Sequence, residues 1–180
     1  MIWNTRRVNN IRYASIRNLD ISNGEGVGVA LFVQGCPSPH CKNCFNPETW
    51  NFNGGKEWTQ EVENKFFELA NRPYIKRISF LGGECLAEEN VSDITELAKK
   101  CKEKFPEKEI WLWSRYDFET YISKLEIIKY VDYVIDGKYV EELKDISLLY
   151  RGSSNQNVWQ KKNGGWYLYT KLNETKNLKI

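Results

Sequence analysis

Short apolar segments alternate with helical segments along the middle of this 180-residue chain. Four segments have the composition of buried strands: residues 28–34, 77–81, 110–113 and 131–135. Helices are expected after the N-cap candidate Thr59, from Val91 until Pro106, and within residues 118–128. Because strands that alternate with helices pair in parallel, this pattern predicts an α/β fold built from βα units.

The length of the chain limits how far these units can close. A complete eight-stranded βα barrel needs about 250 residues, so 180 residues predict a partial, open βα barrel. We expect a single domain over 1–180, with a lead-in at 1–27, a βα core at 28–150 and a basic extension at 151–180. Aromatic runs near Val158 and at 165–170 predict a short C-terminal β-hairpin or edge.

Composition excludes several classes of partner. The mean hydropathy is −0.60 and the longest apolar run, 29–33, is far too short to cross a bilayer, so no membrane association is expected. A net charge of +2 does not favour nucleic acid. The first thirty residues contain no apolar signal segment, which predicts a reducing cytoplasmic location.

The C-terminal extension is locally basic. Only Glu174 opposes its six basic side chains, which are Arg151, Lys161, Lys162, Lys171, Lys176 and Lys179. Such a segment is either a solvated terminus or a docking surface for an acidic partner.

Glycines and polar residues follow each predicted strand. The four segments are Gly35-Cys36, Gly82-Gly83-Glu84, Ser114-Arg115 and Asp136-Gly137-Lys138. Since the carboxyl ends of parallel strands meet at one rim, we expect these segments to surround one site.

Cysteines are the most informative residues at this rim. Three of the five, Cys36, Cys41 and Cys44, fall within nine residues in a polar loop. In a reducing compartment such a group favours a zinc ion or an iron–sulfur cluster. Three thiolates on a four-iron cube leave one iron open to substrate. Alternatively, His40 completes a structural Cys3His zinc site in a binding module.

The two remaining cysteines have different surroundings. Cys101 lies on the apolar face of its predicted helix and is expected in the core. Cys85 adjoins the expected site, where it is either a partly buried, inert residue or a reactive thiol.

Several segments together resemble the radical S-adenosylmethionine enzymes. Within that group the resemblance is to the glycyl-radical activating enzymes that serve anaerobic ribonucleoside-triphosphate reductases. It extends over SIRNLDISNGEGVGVALFVQGC, CFNPETWNFNGG, GGE, LWSRY, VIDGKY and RGSSNQ, which are residues 15–36, 44–55, 82–84, 112–116, 134–139 and 151–156.

The resemblance implies two cofactors. Cys36, Cys41 and Cys44 would bind a [4Fe-4S] cluster whose open iron takes the amino and carboxylate groups of S-adenosylmethionine. That cofactor would also be contacted by Asn43, Cys44, Phe45, Gly82, Gly83, Glu84, Ser114 and Asp136. Phe45 would pack near the adenine, and the turn of Gly82, Gly83 and Glu84 would receive the methionyl ammonium group. Ser114 and Asp136 would contact ribose or carboxylate.

The resemblance also implies an activity. One electron from a flavodoxin-type donor would cleave S-adenosylmethionine, and the 5′-deoxyadenosyl radical would take a hydrogen from a glycine of the reductase. Because the cofactors carry the chemistry, no catalytic residue beyond their ligands is expected. A radical enzyme of this type acting on another substrate is the alternative within the same group.

The chain departs from the family pattern at two places. The family spaces its cysteines as Cys-x3-Cys-x2-Cys, whereas four residues, Pro37 to His40, separate the first two cysteines here. The glycine turn of the family commonly continues with proline, and Cys85 stands at that position.

Overall fold

The computed structural model describes residues 7–169, with side chains from residue 10 onward. The strands are β1 (Arg7–Asp20), β2 (Gly28–Val33), β3 (Lys56–Thr59), β4 (Arg77–Gly82), β5 (Glu109–Trp113), β6 (Tyr133–Asp136), β7 (Asn157–Lys162) and β8 (Gly165–Leu168). The α-helices are α1 (Gln60–Ala70) and α2 (Val91–Lys104). Short 3-10 turns lie at Pro47–Thr49, Ile122–Lys124, Glu126–Lys129 and Glu141–Leu143.

All eight strands belong to one mixed sheet in the order β3-β1-β2-β4-β5-β6-β7-β8. The central four, β2, β4, β5 and β6, are parallel, as the βα alternation predicts. β1 and β3 add antiparallel strands at one edge, and β7 and β8 form an antiparallel hairpin at the other. The sheet is open, because its end strands do not pair with each other. The predicted α/β class and the C-terminal hairpin are confirmed.

The two faces of the sheet have different coverings. Alternate residues such as Leu31, Phe80 and Leu112 belong to the main core, together with Phe66 of α1 and Leu97 of α2. Burying each such side chain stabilises the fold by roughly 1.5–3 kcal/mol. The intervening residues form two smaller clusters on the opposite face, which include Ala30, Phe32, Leu81, Trp111, Tyr133 and Ile135. This second face leads to the site described below.

Both predicted central helices are present, α1 with its expected start signal and α2 with its expected stop signal. The Thr59 hydroxyl accepts a hydrogen bond from the amide of Val62 at 3.3 Å and caps α1. α2 begins at Val91 and ends at Lys104, just before Pro106. Cys101 is fully buried on its inner face, which confirms the core assignment.

The predicted third helix within 118–128 is wrong. This segment forms two 3-10 turns, and Leu125 between them has extended backbone angles. Ile122 and Ile127 are both buried. In a continuous α-helix, residues five positions apart lie on different faces, so the two side chains could not both face the core. The break at Leu125 lets both side chains reach the core.

The sequence interpretation missed strands β1 and β3. β1 lies within the expected lead-in and pairs with β2, with Ser15 opposite Phe32. Its polar and charged residues obscured the alternation typical of a half-buried antiparallel strand. The side chain of Arg12 in β1 donates to the carbonyl oxygens of Gly54 and Gly55 and so fixes the loop before β3.

Residues 170–180 of the expected basic extension lie outside the described residues, so its docking role stays a prediction. Among residues 7–169, no helix has both the length and the hydropathy required to span a membrane.

Candidate metal and cofactor site

The segments that follow β2, β4, β5 and β6 meet around one cavity of about 540 Å³. The amide of Glu84 donates to the carbonyl oxygen of Gly35 at 2.7 Å, which joins the first two segments. The amide of Ser114 donates to Ile135 at 2.9 Å and joins the other two strands at the same rim. The predicted convergence of the four segments is therefore present in the structure.

The glycine turn after β4 leaves no room for side chains. Gly82 has a φ of +118°, a conformation that favours glycine. A Cβ atom on Gly83 would lie 2.3 Å from the carbonyl oxygen of Gly35. Two glycines therefore allow the β4 turn to pack directly against the backbone that leads into Cys36, and they keep the turn bare on the cavity side.

Glu84 is buried at the back of the cavity, with 1% of its surface exposed. Its carboxylate accepts hydrogen bonds from the amide of Leu86 (2.9 Å), the hydroxyl of Ser114 (2.8 Å) and the amide of Arg115 (2.7 Å). Burial raises the pKa of Glu84, and these hydrogen bonds oppose the rise. The carboxylate thus holds the β4 and β5 segments together and places negative charge behind the glycine turn.

Cys36, Cys41 and Cys44 all line this cavity and are partly exposed. Each sulfur has one N–H neighbour. The amide of Asn46 donates to Cys44 Sγ at 3.4 Å, Arg115 donates to Cys36 Sγ at 3.8 Å, and the Tyr139 backbone donates to Cys41. Burial raises the pKa of the Cys36 thiol against the lowering effect of Arg115, and it raises the pKa of the Cys41 thiol against the lowering effects of Lys138 and Arg115.

The sulfurs do not converge on a single point. Within the described residues, no three His, Cys, Asp or Glu side chains are grouped closely enough to hold one metal ion. A tetrahedral zinc site needs its donors about 2.0–2.3 Å from one ion. The arrangement of the cysteines is therefore more open than a zinc site requires.

His40, the fourth donor of the zinc alternative, has other contacts. Its Nε2 donates to the carbonyl oxygen of Cys36 at 3.0 Å. The imidazole ring stacks on Trp50 with 4.1 Å between ring centroids and 2° between planes. These contacts place His40 as a support for the cysteine loop.

The remaining sequence candidates divide into two groups. Phe45 is exposed and lines the cavity, with its ring 5.0 Å from that of Tyr139. Ser114 also lines the cavity, although its hydroxyl is directed to Glu84. Asn43 and Asp136 are not among the lining residues. The buried carboxylate of Asp136 accepts from the amides of Phe118 and Asn157 and so fastens the segments beside the cavity.

Three arginines that the sequence analysis did not assign to cofactor binding also line the cavity: Arg17, Arg115 and Arg151. Burial lowers the pKa of Arg151, and its Nε has no hydrogen-bond acceptor among the described residues. These cations favour a bound group that carries negative charge. For Arg115 the available signal was its position directly after a predicted strand.

Cys85 is fully buried, more completely than expected. Burial raises the pKa of its thiol well above the ordinary value, with Glu84 adding to the rise. Since the thiolate is the reactive form, this environment is that of an inert thiol.

Comparison with known proteins agrees with this geometry. Residues 22–159 match the family model of a 4Fe-4S single cluster domain. The chain is 40% identical over 156 residues to the anaerobic ribonucleoside-triphosphate reductase-activating protein of Enterobacteria phage T4, covering 87% of this chain and 98% of that protein. The proteins of the same name from Salmonella typhi and Escherichia coli (strain K12) are each 38% identical over 151 residues, covering 82% of this chain and 97% of theirs.

The chain belongs to the anaerobic ribonucleoside-triphosphate reductase-activating proteins. The match to the 4Fe-4S domain spans all four cavity-forming segments, from before β2 to within β7. The match to a 4Fe-4S domain supports an iron–sulfur cluster in this protein.

Proposed function

We propose that this protein activates an anaerobic ribonucleoside-triphosphate reductase by generating a glycyl radical on it, using a [4Fe-4S] cluster and S-adenosylmethionine. The observation that carries the proposal is that Cys36, Cys41 and Cys44 line one cavity with the Gly82-Gly83-Glu84 turn. The names of the relatives support the choice of the reductase as the partner.

The residues present fit the cluster. Soft thiolates are the preferred ligands of iron–sulfur clusters, and N–H groups directed at the sulfurs stabilise their negative charge. Each of the three cysteines has such a donor, and no fourth cysteine lines the cavity in the described part of the chain.

The surroundings of the cysteines also suit S-adenosylmethionine. The bare backbone at Gly82 and Gly83 admits the methionyl ammonium group, and the buried charge of Glu84 behind it favours a cation there. The exposed Phe45 ring, beside Tyr139, offers a surface on which the adenine can pack. The cationic Arg151, whose Nε has no acceptor within residues 7–169, is suited to the carboxylate side of the ligand.

The three remaining sequence candidates, Ser114, Asn43 and Asp136, support the walls of the site. Ser114 holds Glu84 in place, and the side chain of Asn43 hydrogen-bonds Glu141, which ties the cysteine loop to the segment after β6. Asp136 fixes the start of that segment by accepting two backbone N–H groups. We place these three residues around the cofactor as supports.

When bound, the cluster supplies one electron, delivered by a flavodoxin-type donor, for cleavage of S-adenosylmethionine to methionine and a 5′-deoxyadenosyl radical that takes hydrogen from a glycine of the reductase. The protein's own residues bind, orient and shield these groups, and no acid or base is needed. The fold would be a partial barrel of the radical S-adenosylmethionine type in a single domain, whose open side admits the reductase. A thiolate-ligated cluster also agrees with a reducing, cytoplasmic compartment.

The test uses protein purified without oxygen. It should be brown and contain iron and sulfide, and with reductant and S-adenosylmethionine it should release 5′-deoxyadenosine and methionine. Adding the cognate reductase should produce a glycyl-radical signal in electron paramagnetic resonance. Colourless protein with stoichiometric zinc would refute the proposal in favour of a binding module. Cleavage without a glycyl radical would point to another substrate.

A further inference from the structure

The loop between Cys36 and Cys41 has unusual backbone chemistry. It is one residue longer than the spacing of the family it resembles, and it contains Pro37 and Pro39. A proline has no backbone N–H, so these residues cannot donate the hydrogen bonds that stabilise an ordinary turn. The carbonyl groups of both prolines instead accept hydrogen bonds from side chains that come from other parts of the chain.

Arg115 provides most of these contacts. Its Nη1 donates to the carbonyl oxygen of Pro37 at 2.6 Å, and its Nη2 donates to that of Pro39 at 2.9 Å. Nη1 also lies 3.8 Å from Cys36 Sγ. A planar guanidinium can bridge two acceptors in a fixed geometry, which a lysine ammonium cannot do in the same way.

The position of Arg115 is itself fixed. Its backbone amide donates to the buried carboxylate of Glu84 at 2.7 Å, so the residue is fastened to the glycine turn as well as to β5. Lys138, from the segment after β6, donates to the carbonyl oxygen of Pro39 at 3.1 Å. Two cations from neighbouring strand ends therefore hold the lengthened loop against the rim.

We propose that Arg115 is a positioning residue that holds the lengthened cysteine loop in its cluster-binding shape and raises the reduction potential of the bound cluster. Only the effect on the reduction potential rests on the proposed function. The positioning of the loop concerns the metal-free protein.

The effect on potential follows from charge. Reduction of the cluster adds one negative charge beside three thiolates, and a nearby cation with an N–H directed at sulfur stabilises that charge. Arg115 offers both at Cys36. Removing them disfavours the reduced form and makes the midpoint potential more negative.

The experiment compares the wild type with Arg115→Met and Arg115→Lys. Methionine removes the charge and the hydrogen bonds, whereas lysine keeps the charge and loses the two-pronged contact. Arg17→Met is the matched control, because Arg17 lines the same cavity and contacts Asp20 and Phe32. Far-UV circular dichroism checks that each variant is folded.

The first measurement is amide hydrogen exchange of Gly35, Cys36 and Asn46 in metal-free protein, because these amides at the two ends of the cysteine loop donate hydrogen bonds to Thr49, Trp50 and Cys44 Sγ. Arg115→Met and Arg115→Lys should each exchange at least about tenfold faster there than the wild type, and Arg17→Met should not. The second is a redox titration of the reconstituted cluster, followed by electron paramagnetic resonance. Arg115→Met should shift the reduction equilibrium at least about tenfold towards the oxidised form, which is about 59 mV for one electron, and Arg115→Lys should shift it less.

Wild-type exchange in both Arg115 variants would overturn the positioning role. An unchanged potential in Arg115→Met, or an equal shift in Arg115→Lys, would overturn the role of its charge. If the wild type binds no cluster, the proposed function fails and, with it, the effect on potential. The exchange measurement still decides the role of Arg115 in the loop.

Discussion

The hydroxyl of Ser114 donates a 2.8 Å hydrogen bond to the carboxylate of Glu84 and joins the end of β5 to the turn that follows β4. The two residues are 30 positions apart in the chain, and both are buried. The bond makes the back wall of the cavity a continuous unit, so the glycine turn depends on a carboxylate that lies behind it.

Replacing Glu84 by alanine should therefore destabilise the protein. Ser114, Leu86 and Arg115 would each retain a donor without its acceptor, and an unsatisfied buried group costs about 1–3 kcal/mol. We expect the free energy of unfolding in urea to fall by about 3 kcal/mol or more. Glu89→Ala, at an exposed position five residues further on, is the control. Equal stability of the two variants would contradict the role assigned to Glu84.

Gly83→Ala should disrupt the same turn by steric overlap. The added Cβ atom would lie 2.3 Å from the carbonyl oxygen of Gly35 and 3.0 Å from that of Thr49, and neither backbone group can move freely. We expect the free energy of unfolding, measured by thermal denaturation, to fall by about 3 kcal/mol. Gly164→Ala provides the comparison, because that position has open space and a φ of +77°, so it should lose only about 1 kcal/mol through backbone strain. A milder effect at Gly83 than at Gly164 would refute the close packing.

Loss of Cys41 should abolish cluster binding, whereas loss of His40 should not. Cys41→Ala removes one of three thiolates, and its iron and sulfide content after anaerobic reconstitution should fall to the background level. His40→Ala should retain iron, because the imidazole contacts Cys36 and Trp50 in the way a loop support does. Cys101→Ala should retain iron and lose only about 1 kcal/mol of stability, since that thiol is in the core. Iron retained in Cys41→Ala would mean that the ligands are misassigned.

The buried pair of Asp20 and Arg77 predicts a pH dependence. Arg77 Nη2 lies 2.7 Å from Asp20 Oδ1, and both side chains are almost fully buried. Burial acts to raise the pKa of Asp20, but hydrogen bonds from Arg77 and Asn23 prevail and lower it below 3.8. A lowered acid pKa gives stability that is complete above the ordinary value and is lost as the pH falls through the lowered one.

Asp20→Asn should remove that dependence and leave a buried arginine charge without its partner, at a cost of about 3–5 kcal/mol. The measurement is the free energy of unfolding of both proteins from about pH 6 to pH 2. Glu88→Gln, at an exposed site, should keep the wild-type profile. The same slope in Asp20→Asn and wild type below pH 3.8 would assign the dependence to other groups.

Much of the fold could be predicted because it depends on local patterns. The four parallel strands and both α-helices follow from apolar spacing and from signals such as Thr59 and Pro106. The failures occurred where long-range packing overrides local preference. Leu125 breaks the expected third helix so that Ile122 and Ile127 both reach the core, and β1 is stabilised by pairing with β2.

The sequence by itself determined that three closely spaced cysteines and a glycine turn would meet at one rim. The reason is that the carboxyl ends of parallel strands all lie at the same edge of the sheet. Only the tertiary structure decided which side chains serve that site. Arg115 donates a hydrogen bond to Pro37, 78 positions away in the chain. The carboxylate of Glu84 accepts hydrogen bonds from Ser114 and Arg115, which follow β5. A hydrogen bond depends on which groups come within about 3 Å of each other, and spacing along a chain does not specify that.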